Sequence, residues 1–181
     1  GFAILKKMSE NGANIIACAR KKDENFEKKL EEVSKKNKNQ IKTIYFDLLD
    51  EKEIERAVKE IVDLNLNIEI LVNNAGVNQV SLFQMTSIQK IKEIFQVNFF
   101  SQVQFTQKII KMMIKNKRGS IINLSSNAAV ECDAGRSAYA SSKAALIAFT
   151  KVLSKELGSF NIRTNSIAPG LTKTEMMEKD I

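Results

Sequence analysis

Residues 137–146 read SAYASSKAAL, a run in which Tyr139 and Lys143 are the only large polar side chains. Alanine, leucine and lysine favour helix, and no glycine or proline interrupts them. At a spacing of four the two side chains share a face, one turn apart. A phenol has an ordinary pKa of about 10 and donates a proton at neutral pH. An ammonium beside it favours the phenolate and moves the group toward proton exchange in either direction. The same spacing is equally that of a surface pair, because Tyr-x-x-x-Lys is short and recurs by chance.

Proton chemistry in this chain must use such groups, since its 181 residues contain no histidine. That excludes Ser-His-Asp and Cys-His nucleophilic catalysis and the H-E-x-x-H metal site. The two cysteines, Cys18 and Cys132, lie far apart and in no C-x-x-C pair. Neither a disulfide framework nor a thiolate zinc site is indicated, and both read as inert thiols. The net charge is +7, but lysines alternate with glutamates in stretches such as KKDENFEKKLEEVSKKNKNQ, the pattern of a solvated helix surface. That favours no nucleic-acid partner and leaves a modest preference for anions such as phosphorylated cofactors or acidic carrier proteins. A hydrophobic content of 44% suits one globular domain with a real core. No apolar run approaches the roughly 18 residues of a membrane span and no signal-peptide pattern opens the chain, so a cytosolic protein is expected.

The elements that must position Tyr139 and Lys143 alternate in type. Residues 14–19, 41–46, 68–74, 119–126 and 161–168 read as strands, and roughly 50–64, 87–115 and 137–158 as helices. Continuous apolar strands separated by helices predict a doubly wound parallel α/β fold. Ligand sites in such sheets lie beyond the carboxyl ends of the strands. There the polar clusters fall: VNNAG, LSSN and IAPG.

NNAG (73–76), Asn98, NLSS (123–126), Tyr139 with Lys143, and NSIAPG (165–170) follow the order and spacing of the short-chain dehydrogenase/reductase family. The chain resembles that family over essentially its whole length. The stretch from Gly135 to Gly170 is most similar to 3-oxoacyl-acyl-carrier-protein reductases. The resemblance implies a Rossmann-like, three-layer αβα sheet. It also implies two missing ends. Family members begin with a strand and T-G-x-x-x-G-x-G, of which Gly1 stands at the last glycine, and they continue past PGLTKTEMM. Residues 1–181 therefore read as one truncated domain, an internal fragment expected to be inactive alone, whose absent first strand belongs between residues 14–19 and 68–74.

The family reaction is hydride transfer between a nicotinamide cofactor and a carbonyl or alcohol carbon. By resemblance, Tyr139 is the proton donor helped by Lys143, Ser126 orients the substrate oxygen, and Asn98 holds a water in the proton relay. Ser126 is also placed to be an ordinary strand-end cap, with Ser125 beside it as a competitor. The resemblance puts Gly1, Asp47, Asn74, Ala75, Gly76, Tyr139, Lys143, Pro169, Gly170 and Thr174 against the cofactor. Asn73 also resembles part of this cofactor-side motif and equally reads as bonding a neighbouring strand, and Asp47 as a helix cap for which Asp50 is better placed. At the end of the strand 14–19 an acidic residue would select NAD. Here Ala19 is followed by Arg20, Lys21 and Lys22, which favours NADP with Arg20 as first contact, against the alternative of a solvated turn.

The expectation is an NADPH-dependent reductase of a small or acyl-carrier-linked carbonyl, linked to fatty acid biosynthesis. Its rivals are a family reductase of another carbonyl, such as a sugar or steroid-like ring, and a non-catalytic NADP-binding regulator. Homotetramers or homodimers are expected through helices 87–115 and 137–158.

Overall fold

All strand pairing is parallel, in two sheets. β1 (Ile15–Ala19) pairs with β2 (Ile41–Tyr45), and β4 (Gly119–Leu124) lies between β3 (Ile70–Asn73) and β5 (Ile162–Ile167). The structure, a computed structural model, describes residues 1–172. It divides into two units, Gly1–Glu60 and a second beginning at Ile61.

In the first unit, α2 (Glu24–Asn37) carries the chain from β1 to the parallel β2, and α1 (Phe2–Glu10) and α3 (Glu51–Asp63) flank this pair in sequence. Local chemistry sets the helix starts. Asp23 caps α2 by accepting from Phe26 N at 2.7 Å. Asp50 caps α3, its Oδ1 accepting from Lys52 N at 2.9 Å and Glu53 N at 3.2 Å. Each cap satisfies amides the helix itself leaves open. Ser9, buried at the end of α1, accepts from Asn37 Nδ2 (2.9 Å) and Asn39 Nδ2 (2.7 Å), tying α1 to the end of α2. The charged face of α2 is solvated as its pattern implies: Lys35 and Glu31 pair while both stay well exposed.

In the second unit, β3 leads through a 3-10 turn (Phe83–Met85) to α4 (Ile88–Phe95) and α5 (Ser101–Asn116), and β4 leads through α6 (Ala128–Glu131) and α7 (Ser137–Glu156) to β5. The single helix expected over 87–115 is divided: residues 96–100 form a π-helical turn with Asn98 at its centre. A single π turn adds about one residue to one turn, a phase shift too local to stand out in the apolar pattern of so long a stretch.

Below the site the sheet is locked by a buried polar ladder. Asn73 and Asn123 are registered partners on β3 and β4. Asn73 Nδ2 donates to Thr106 Oγ1 of α5 and to Asn123 Oδ1, both at 2.8 Å; Asn123 Nδ2 donates to Thr150 Oγ1 of α7 at 2.8 Å. Side chains from neighbouring strands thus reach both helices, which places α5 and α7 on one face, as successive right-handed crossovers in one direction must. Gly119, opening β4, faces Met113 of α5 so closely that an added Cβ would lie 2.6 Å from its sulfur. Thr150→Val keeps the volume and strands the Asn123 amide. The expected cost is about 1–3 kcal/mol, read as a lower urea midpoint with an unchanged m-value.

Candidate active site

Lys143 lies on α7 with only 4% of its surface exposed. Its Nζ donates to the carbonyl of Leu124, at the end of β4, at 2.8 Å. Among the described residues no carboxylate pairs with it. Burial disfavours the charged form and pulls its pKa from 10.5 to about 8. One hydrogen bond uses one of the three ammonium donors.

Gly76 makes room for that ammonium. A Cβ at this position would lie 3.1 Å from Lys143 Nζ and 3.2 Å from Asn98 Oδ1. The segment that carries Gly76 is held on both sides. Gln102 Nε2, one turn beyond Asn98, donates to Ala75 O at 2.6 Å. Asn98 accepts from Val77 N at 2.8 Å and donates to Val77 O at 3.0 Å. Asn98 is fully buried, and its Nδ2 reaches Ser142 Oγ at 3.1 Å as well. Its side chain is thereby engaged with protein on both ends of the amide.

Tyr139 is half-buried, one turn before Lys143 on the same helix, and its hydroxyl has no hydrogen-bond partner among the described residues. Ser125 and Ser126 differ in what they leave free. The Ser125 hydroxyl is committed to Lys143 O at 2.8 Å. Ser126 Oγ accepts from Ala128 N at 3.2 Å, the capping contact its position allowed, and donates to Asn127 Oδ1 only at a long 3.5 Å. The Ser126 hydrogen is thus held far more weakly than that of Ser125 and is the easier one to redirect. The ends of β4 and β5 continue together: Ser125 N donates to Ile167 O at 2.8 Å and Asn127 N to Pro169 O at 2.9 Å. Gly170 lies beside Asn127, whose Nδ2 would be 3.9 Å from an added Cβ.

The second unit thus brings Gly76, Asn98 and Lys143 into contact and ties the Ser126 and Pro169 segments together. Asn74 and Ala75 have exposed side chains, whereas Asn73 is buried in the ladder, the strand-bonding role its sequence position also allowed. Gly1, Arg20 and Asp47 belong to the first unit. Gly1 precedes α1, and Arg20 is exposed in the turn after β1, with no ion pair among the described residues. Asp47 follows β2; its amide donates to Glu53 Oε2 at 2.7 Å and its Oδ1 accepts from Leu49 N at 2.9 Å, while capping of α3 falls to Asp50. Thr174 lies outside the described residues. Ser142 and Gln102 were not among the expected site residues, because their partners are far away in sequence.

A cavity of about 630 Å³ opens along the segment after Gly76, with Gln79, Ser81, Thr86 and Lys90 in its wall. Ser81 N donates to Gly135 O at 2.9 Å, which fixes this wall to the loop that starts α7.

The short chain dehydrogenase family profile matches residues 1–181, across both units. The chain is 35% identical over 176 residues to a 3-oxoacyl-acyl-carrier-protein reductase from Aquifex aeolicus, covering 97% of this chain and 71% of that protein. It is 29% identical over 177 residues to an acetoacetyl-CoA reductase from an Acinetobacter species, covering 98% and 71%. A short-chain dehydrogenase from Streptomyces avermitilis superposes with a TM-score of 0.87 at 27% identity, over 97% of this chain and 63% of that one. The chain belongs to the short-chain dehydrogenase family, and its fold is the doubly wound, Rossmann-like, three-layer α/β class. That membership supports an NAD(P)-dependent oxidoreductase function on a small-molecule carbonyl. No helix among the described residues is long and apolar enough to cross a membrane.

Gly76→Ala tests the close approach directly. The new methyl presses on a buried ammonium and a buried amide, so the expected loss is about 1–3 kcal/mol of unfolding free energy, read by urea titration. Unchanged stability would mean that Lys143 moves aside freely.

Proposed function

We propose that this protein is an NADPH-dependent carbonyl reductase acting on 3-ketoacyl groups carried by acyl carrier protein or a similar thioester carrier. The observation that carries this reading is Lys143: a buried ammonium with no counter-charge among the described residues and two donors unspent, on the same helix face as an unbonded phenol. A structural lysine would be paired or solvated. One that is neither suits a site completed by hydroxyl or phosphate-bearing ligands.

The residues present fit a dinucleotide. Gly76 leaves the room that the Lys143 ammonium occupies, since a Cβ would lie 3.1 Å from its Nζ. Asn74, Ala75, Pro169 and Gly170 are assigned to the same ligand, with Gly1, Asp47 and Thr174 on the strength of the resemblance. NADPH supplies, when bound, a hydride for the carbonyl carbon. Tyr139 passes its hydroxyl proton to the carbonyl oxygen, giving the alcohol, and the Lys143 ammonium stabilises the phenolate left behind. Ser126 donates a hydrogen bond to the same oxygen and orients it. Asn98 holds the turn against which Lys143 packs, and its relay role is part of the proposal. The preference for NADP rests on the exposed Arg20, which has no ion pair among the described residues, and on the lack of an acid among Ala19, Arg20, Lys21 and Lys22. The 3-ketoacyl substrate is supported by the two named reductases among the relatives. A cytoplasmic homo-oligomer completes the reading.

Tyr139→Phe removes the hydroxyl, and with it the proton, while keeping the ring. In the full-length protein it should lower kcat for acetoacetyl-CoA reduction by about 100-fold or more and leave the Kd for NADPH nearly unchanged; near-normal turnover rejects the assignment.

Arg20→Ala should weaken NADPH by about 1.5–3 kcal/mol and leave NADH binding alone, measured by fluorescence titration. Equal losses for the two cofactors refute the phosphate contact.

A further inference from the structure

Ser142 stands between the two candidate catalytic residues of α7 and has no surface exposed. Its Oγ lies 2.7 Å from the carbonyl of Tyr139, one turn back. A carbonyl only accepts, so the hydroxyl hydrogen is committed there, and Ser142 can meet Asn98 Nδ2, 3.1 Å away, only as an acceptor. That fixes the Asn98 amide. Its Nδ2 divides two hydrogens between Ser142 Oγ and Val77 O at 3.0 Å, and its Oδ1 receives Val77 N at 2.8 Å. A flipped amide would set oxygen against Val77 O and nitrogen against Val77 N.

We propose that Ser142 is a positioning residue for the reaction: it couples the turn of α7 that bears Tyr139 and Lys143 to the Asn98 amide, and through it to Val77 beside Gly76. The inference rests on the proposed roles of Tyr139 and Lys143. A small rotation or slip of α7 moves the phenol and ammonium together; the bonds from Lys143 to Leu124 O and from Ser125 to Lys143 O hold the lysine end of this turn, and no side-chain bond among the described residues holds the phenol. The Ser142 contacts add resistance at the Tyr139 end, where its hydroxyl bonds the Tyr139 carbonyl. Reacting groups displaced by a fraction of an ångström lose rate without losing affinity.

The test compares Ser142→Ala, which removes the hydroxyl, and Ser142→Cys, which fills the site with a slightly larger and weaker hydrogen-bonding group, in the full-length protein with NADPH and acetoacetyl-CoA. Both should lower kcat about tenfold while the KM for NADPH stays within about twofold. Hydrogen exchange at the Val77 amide should be faster in both, because the side-chain amide that carries its acceptor, Asn98 Oδ1, has one of its two Nδ2 contacts removed or weakened. Unchanged kcat in both variants, or a loss of kcat with Val77 exchange as slow as in the parent, overturns the proposal. A parent protein that binds NADPH and reduces no ketone counts against the proposed function alone; Ser142 is then judged on Val77 exchange, where a parent-like rate in both variants overturns its role.

Discussion

Much of the second unit is arranged around one expensive group, the buried ammonium of Lys143. Taking a charge of this size out of water costs several kcal/mol when no opposite charge goes with it. Here the ion keeps a single protein acceptor, Leu124 O at 2.8 Å. The energy must come from the surrounding fold, so the fold has to leave the lysine no way out. Gly76 suits the space because a Cβ there would crowd the ammonium at 3.1 Å. The small residues of α7, among them Ala138, Ala140 and Ser142, let the helix bury that side against its neighbours. Ser125 fastens the same point from beneath by bonding the Lys143 carbonyl.

The polar ladder makes this confinement rigid. Four buried side chains, Thr106, Asn73, Asn123 and Thr150, span α5, two strands and α7. A one-residue slip between β3 and β4 would turn the paired asparagines to opposite faces and leave both amides unsatisfied, so the ladder specifies register as well as stability. Register in turn brings NNAG and NLSS to the same level at the strand ends. A site whose parts are set before any ligand arrives spends little free energy on reorganisation, which is what stabilising developing charge on an oxygen requires.

Strands were legible because buried parallel strands are continuous apolar runs: all five lie within a residue or two of the expected bounds. The fold class and the helix that carries Tyr139 and Lys143 followed from the same alternation. The π-helical turn at residues 96–100 was not legible, because it arises where Asn98 bonds Val77 in a different element. Ser142 and Gln102 were missed for the same reason. Their partners stand 44 and 27 positions away in the chain, and neither residue type announces a partner. Ser125 and Ser126 could be separated only once their hydrogen bonds were known, since adjacent serines carry the same chemistry until one of them is engaged.

The most direct measurement is a pH titration of Lys143 itself, by NMR of the protein labelled with 13C at lysine Cε, the resonance assigned by its absence in Lys143→Met. In the folded protein without cofactor the midpoint should fall near 8, against the ordinary 10.5. Between those two values the unfolded chain binds more protons at this site than the folded one, so folding stability should rise as pH climbs from about 8 toward 10.5. A Lys143 midpoint at or above the ordinary lysine value would mean that the ammonium is not buried without a counter-charge, and the account of the site built on that burial would be wrong.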